Sequence, residues 1–208
     1  DREIMATLSS VKFIEDTPLG PQEINFTDKT INIFSESVRN NEALFSTSNR
    51  LISEMEIEDI VFPPIRDERL KIVDNPRRGF VENYFNTIYN LLSDLNTSED
   101  ITQITLRAID GKTNQIDYEV AKTENIYRQM YRVEVPQKAL ALHKNYLQII
   151  QTQYNLYTNI ANIQNDPNRL QIDLIITQEI LALLREKVNE RITELSQEYN
   201  LEIQNNNE

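Results

Sequence analysis

Apolar positions recur at helical spacing through most of this chain, and most regularly in its last third. Starting from Pro136 and running to about residue 163, Ala139, Leu142, His143, Tyr146, Ile149, Ile150, Gln153, Tyr157 and Ile160 share one face. That follows from about 100° of rotation per residue. A second stripe starts at Pro167 and runs to about Tyr199 through Leu170, Leu174, Thr177, Leu181, Leu184, Val188, Ile192 and Leu195. Its near-heptad spacing favours shallow crossing angles. Only Asp166-Pro167 separates the two segments, and a connection that short predicts antiparallel packing. At about 1.5 Å per residue each helix spans on the order of 40–50 Å.

Upstream the pattern is less uniform. Ile4, Leu8, Val11 and Phe13 give residues 1–14 a loose helical spacing, broken at Thr17-Pro18-Leu19-Gly20-Pro21. Thr27 or Asp28 can cap a helix to about Glu54, with Ile31, Phe34, Val38, Phe45 and Ile52 on its apolar side. The stretch from Ile57 to Ile65 contains Phe62-Pro63-Pro64 and is expected to cross the surface extended. Asn75-Pro76 offers a side-chain cap followed by a proline, so a helix is predicted from there through Phe80, Val81, Tyr84, Phe85, Ile88, Leu91, Leu92 and Leu95. Its dense apolar face makes it the expected centre of the bundle. Residues 66–74 either extend it backwards or form a separate turn. Over 97–112, Ile104, Leu106 and Ala108 alternate as in a strand. We expect a short extended piece, a turn at Asp110-Gly111 and a helix capped by Thr113, with a hairpin into Ile116, Tyr118 and Val120 as the alternative. The tail from Gln204 to Glu208 is polar, and its end is expected to fray.

Composition narrows the class. Only 3 glycines and 39% hydrophobic residues suit a helical protein with few tight turns. A net charge of −12 and a pI near 4.7 argue against a nucleic-acid surface, which needs cationic contacts. With no cysteine, disulfides, thiolate metal sites and cysteine nucleophiles drop out together. No stretch reaches the roughly 18 apolar residues of a membrane span. Asp1 in place of an initiator Met leads us to expect a trimmed or processed product, with a signal peptide or anchor upstream.

Candidate chemistry is sparse. His143 is the only histidine, and Leu140 stands where a Glu-x-x-His metal motif would need glutamate. Its place on an apolar face points to a buried, hydrogen-bonded ring rather than to a ligand or pH sensor. Glu54, Glu56, Glu58 and Asp59 cluster, as do Glu15-Asp16, but without the spacing of a calcium loop, so a solvated acidic face is expected. Nine tyrosines lie on or beside the apolar stripes, where they suit either packing or a partner surface. Arg77-Arg78 is too small a basic spot for an anion site. Phosphate-loop, nucleophile-elbow and zinc motifs do not occur. Asn25-Phe26-Thr27 and Asn96-Thr97-Ser98 are glycosylation sequons. We expect no catalytic residue, metal or cofactor.

Several elements of the C-terminal half occur in a suggestive order. These are Thr105-Leu106-Arg107-Ala108-Ile109-Asp110, then Thr113 and Tyr118, then Val135-Pro136, Leu142-His143 and Asp166-Pro167. In that order and spacing the half from about Ile104 to Tyr199 resembles a family of uncharacterised helical, extracytoplasmic proteins of Parcubacteria- and Patescibacteria-type candidate-phylum bacteria. Members of that family are usually carried on one N-terminal transmembrane helix. They often continue the tyrosine with Gly-Asn, whereas Glu119-Val120 follows Tyr118 here. The resemblance implies a cell-envelope location and no particular reaction.

These readings converge on an all-α, up-and-down bundle of four to six helices with a long C-terminal antiparallel hairpin. One helical domain is expected over 1–208. It comprises N-terminal helices and a proline crossover (1–65), central helices (66–135), the hairpin (136–199) and a tail (200–208). The expected function is a non-enzymatic structural or interaction module of the envelope, membrane-tethered through an upstream segment. Its partner would be an envelope protein or a second copy, with no nucleic acid. The alternative is a ligand-sensing bundle with His143, Gln153 and Thr177 lining a pocket. Tyr118, Tyr146 and Phe62 complete the candidate contacts.

Overall fold

The computed structural model describes residues 12–17, 20–25, 60–74, 77–95, 101–162 and 167–201. Helices dominate these residues, and two small sheets accompany them. Strands β1 (Lys12–Thr17) and β2 (Gly20–Asn25) form an antiparallel hairpin, and β3 (Ile60–Val61) pairs with the other side of β1. The helical spacing expected over 1–14 therefore fails at its C-terminal end, where Lys12–Ile14 are strand. Phe13 and Ile14 are paired with Ile24 and Glu23, so a strand ladder overrides a weak helical period. Glu15 and Asp16 belong to the same strand rather than to a cation loop. The helix expected from Thr27 or Asp28 to Glu54 lies outside the described residues, as do the acidic cluster at 54–59 and the tail at 204–208.

The proline crossover is non-helical beyond β3, but it does not simply cross the surface as expected, because Pro63 is buried and Phe62 and Ile65 pack against the main core. Residues 66–74 do not extend the next helix; they hold the separate turn expected as the alternative, followed by a strand. A 3-10 turn at Asp67–Arg69 leads into β4 (Lys71–Val73), which pairs in parallel with β5 (Glu134–Pro136). Helix α1 spans Arg78–Ser93, so it starts after Asn75-Pro76, with Arg77 extended at the cap position and no side-chain cap bond. Arg78 Nε instead donates to Glu82 Oε1 at 2.8 Å within the first turn. Val81, Tyr84 and Ile88 are its buried face.

Residues 101–109 are not extended. They form helix α2 (Ile101–Ile109), followed by α3 (Asn114–Met130). The alternation that suggested a strand is accidental, because Ile104 and Ala108 are buried while Leu106 is 51% exposed. Gly111 decides the boundary, with a φ of 78°. Its N–H donates to Ala108 O at 3.0 Å and that of Lys112 to Arg107 O at 2.8 Å, a left-handed cap that closes a preceding helix. Thr113 stands at the N-cap of α3 as expected, but without a side-chain cap bond.

Pro136 closes β5 rather than opening a helix. Its φ of −56° with ψ of 135° is extended, and a fixed φ near −65° serves a strand end as well as a first helical turn. The 3-10 turn Gln137–Ala139 then leads into α4 (Leu140–Ala161). Helix α5 is Pro167–Tyr199, with the expected bounds. Lys138 forms an ion pair with Glu198 and lies 5.9 Å from the Tyr199 ring centre, so the start of one long helix meets the end of the other. The hairpin is antiparallel. Asn200, at φ 52°, ends α5 with Leu201 N–H donating to Ser196 O at 2.9 Å.

The core has two parts. The larger gathers Tyr84 and Ile88 of α1, Ile126 and Met130 of α3, Leu142, Leu147 and Ile150 of α4, and Ile180 and Leu184 of α5. The smaller joins Ile104, Ala108 and Ile116 to Leu156, Tyr157 and Ile160, with Leu174 packed against it. Helix α4 contributes to both and buries Leu147, Gln151, Thr152 and Leu156 beyond its expected face. It is therefore α4, not α1, that lies at the centre. Among the described residues no helix is long and apolar enough to cross a membrane.

Candidate functional site

Two arrangements of polar side chains are available for function, one inside the fold and one at its surface. The inner one begins at His143, which α4 presents to α1 with no exposed surface. Its Nδ1 lies 3.2 Å from the Tyr84 hydroxyl, and the rings are tilted at a centroid distance of 5.9 Å. Burial pulls the imidazole pKa down to about 4, while the nearby Met130 backbone acts the other way. The ring is thus neutral at pH 7. Burial also raises the Tyr84 hydroxyl well above its ordinary value, helped by Tyr146, and lifts Tyr146 to about 12. All three groups are uncharged, so the pair joins α1 to α4 by one neutral hydrogen bond.

Tyr127 repeats this solution nearby. Gln151 Nε2 donates to its hydroxyl at 2.8 Å, and the Tyr131 hydroxyl is 3.4 Å away. Toward the smaller cluster, Glu119 is buried among Ile116 and Thr123 of its own helix. Lys122 Nζ meets its Oε2 at 2.6 Å. The neighbouring Tyr157 hydroxyl is pushed up to about 12 by burial and by the Glu119 charge.

The surface arrangement is a groove of about 770 Å³ between α1 and α3, within the usual range of binding pockets. Helix α1 supplies Phe80, Asn83, Tyr84, Thr87 and Leu91, at helical steps along one stripe. The facing wall comes from Asn125 and Gln129 of α3 and from Arg132, Val133 and Glu134 beyond its end. The β4–β5 pair, which precedes α1 and follows α3, sets the start of α1 beside the end of α3. Tyr84 belongs to both arrangements, since it is among the groove residues although only 2% exposed, and its hydroxyl is on His143.

The residues singled out from sequence are dispersed. His143 and Tyr146 share the Tyr84 cluster, and His143 is the buried, bonded ring that its position on the stripe suggested. Gln153 is half-buried, about 15 Å farther along α4 at 1.5 Å per residue. Its Oε1 is buried and makes no hydrogen bond among the described residues. Thr177 is buried on α5, near Leu174 and so toward the opposite end of the seam from His143. The antiparallel hairpin thus sets His143 apart from both Gln153 and Thr177. Tyr118 is 60% exposed, with Lys122 Nζ 5.7 Å from its ring centre, and Phe62 lies at the edge of the main core.

Sequence reasoning missed Glu119 and the groove. Glu119 was detectable, since Ile116, Glu119 and Thr123 share a helical face. Asn83, Asn125 and Gln129 carry no local signal, because only the pairing of α1 with α3 brings them together. Among the described residues no group of three or more His, Cys, Asp or Glu side chains could hold a metal ion. No family model, curated protein or solved structure matches the chain.

Proposed function

We propose that this protein is a non-enzymatic structural or interaction module of the cell envelope, built as an up-and-down helical bundle. The observation that carries the reading is the fate of His143. The chain's one imidazole is buried, neutral and bonded to Tyr84, which spends it on joining two helices. The polar side chains at the surface concavity are instead set to make contacts. The envelope location rests on the resemblance of the C-terminal half. Crosslinking in the native envelope, followed by gentle purification, is expected to return a protein partner or a second copy. Recovery of the chain alone would overturn the reading.

One observation favours a ligand-sensing bundle as the second reading. The groove is lined in part by Tyr84, so an occupant there lies beside a side chain bonded into the interior. Under this reading a metabolite screen followed by thermal unfolding gives a rise of several degrees for one compound class. A screen without such a shift leaves the interaction module as the function.

A further inference from the structure

Helix α2 is held more lightly than the helices it touches. It is 9 residues long, below the roughly 12–15 at which a helix persists without packing. It buries only Ile104, Thr105 and Ala108, whereas α3 buries six residues and α4 eleven. Its outer side meets solvent, with Leu106 and Ile109 about half exposed. The link to α3 is short, residues 110–113, and turns on Gly111 at a φ of 78°. Short helices with few buried apolar groups are where a fold opens locally before it unfolds as a whole.

The chemistry under α2 favours opening as well. Ile104 and Ala108 pack on Ile116 of α3 and on Leu156, Tyr157 and Ile160 of α4. One turn on from Ile116, on the same buried side of α3, Glu119 is 1% exposed and paired with Lys122 at 2.6 Å. A buried ion pair holds neighbouring helices less firmly than apolar groups of the same volume would. On α2 itself, the Thr105 hydroxyl is buried and makes no hydrogen bond among the described residues. Such a group regains a partner only from water, so its burial opposes the packing of Ile104 beside it.

We propose that α2 is a lid that opens as a unit about the Gly111 turn while α3, α4 and α5 stay packed, its opening eased by the buried Glu119–Lys122 pair. Opening uncovers Ile116, Leu156 and Ile160. The proposal does not depend on the interaction-module reading. Because the chain has no cysteine, Ala108→Cys on α2 and Ala139→Cys in the main core each supply a single thiol at a position without solvent exposure. In the native protein the thiol at 108 is expected to be alkylated at least about 100-fold faster than that at 139, as a local opening precedes the global one. Hydrogen exchange on the unsubstituted chain needs no variant and should give the same order, with the amides of residues 104–108 ahead of those of 114–130 and 147–150. Adding Glu119→Leu, which replaces the buried charge by an apolar contact, is expected to slow alkylation at 108 about ten-fold. Equal alkylation at the two thiols, or exchange in 104–108 no faster than in 147–150, overturns the proposal, because α2 then leaves only when the whole fold does. Equally fast exchange across 114–130 overturns it too, since α2 and α3 would then move together. Alkylation at 108 unchanged by Glu119→Leu overturns the part given to the buried pair.

Discussion

In the larger cluster the buried polar side chains are neutral: His143 against Tyr84, Gln151 against Tyr127. The smaller cluster instead encloses an ion pair, Glu119 with Lys122, beside the Tyr157 ring. The difference follows from whether a counter-charge can reach the site. Tyr127, Leu147 and Ile150 are without solvent contact in the middle of several helices, where an isolated charge would cost several kcal/mol or more. In the smaller cluster, Lys122 keeps 16% of its side chain exposed and can bring a counter-charge to a carboxylate that is 2% exposed. A neutral pair is vulnerable to whatever charges it. An ion pair is vulnerable to the loss of one partner.

The largest expected effect compares the two clusters directly. Ile150→Ala should destabilise by about 3–5 kcal/mol, and Ile116→Ala by about 2–3 kcal/mol, because the smaller cluster around it can close over the space more easily. Urea unfolding measures both, and a larger cost at Ile116 would reverse the ranking. Acid comes next and acts on the larger cluster. The folded His143 pKa near 4 lies below the ordinary 6.5, so the unfolded chain binds more protons between those values. Stability is therefore complete above about pH 6.5 and falls by about 3 kcal/mol as pH drops to about 4. His143→Gln should flatten that part of the profile; the same slope in the variant would place the acid response elsewhere.

Lys122→Met attacks the smaller cluster, leaving Glu119 without its counter-charge at a cost of about 2 kcal/mol. Adding Glu119→Leu should restore most of that loss. A double variant as unstable as the sum of the single ones would mean that the pair is not coupled. The smallest change, Tyr84→Phe, removes the 3.2 Å bond to His143 and should cost about 1 kcal/mol. No loss at Tyr84 would make the contact with His143 one of packing alone.

The same physics sets how far the fold could be read in advance. The hairpin was legible because α4 and α5 each carry a long stripe whose period needs no information from elsewhere: Leu181, Leu184, Val188 and Leu195 are all buried. His143 was legible for the same reason. Residues 101–109 were not, because a helix of this length fits a strand alternation by chance, and Gly111 serves a turn or a helix cap equally well. Pro136 was misread for a similar reason, since its φ is compatible with both a strand end and a helix start. Only Ile72 and Val135, paired across β4 and β5, select the strand. The groove had no linear trace, because Asn83 and Gln129 are ordinary helix-surface residues until their helices meet.

The order of residues thus determined the helical character, the long hairpin and the burial of its imidazole, all properties of local period and side-chain chemistry. Tertiary structure decided the rest: that α4 lies at the centre, that residues 71–73 find a strand partner at 134–136, and that Tyr84 is the hydroxyl facing His143. It also decided that Asn83 of α1 and Asn125 and Gln129 of α3 line one groove. The division has one cause. Periodicity is encoded between neighbours a few residues apart, whereas pairings across tens of residues depend on which faces bury the most surface together.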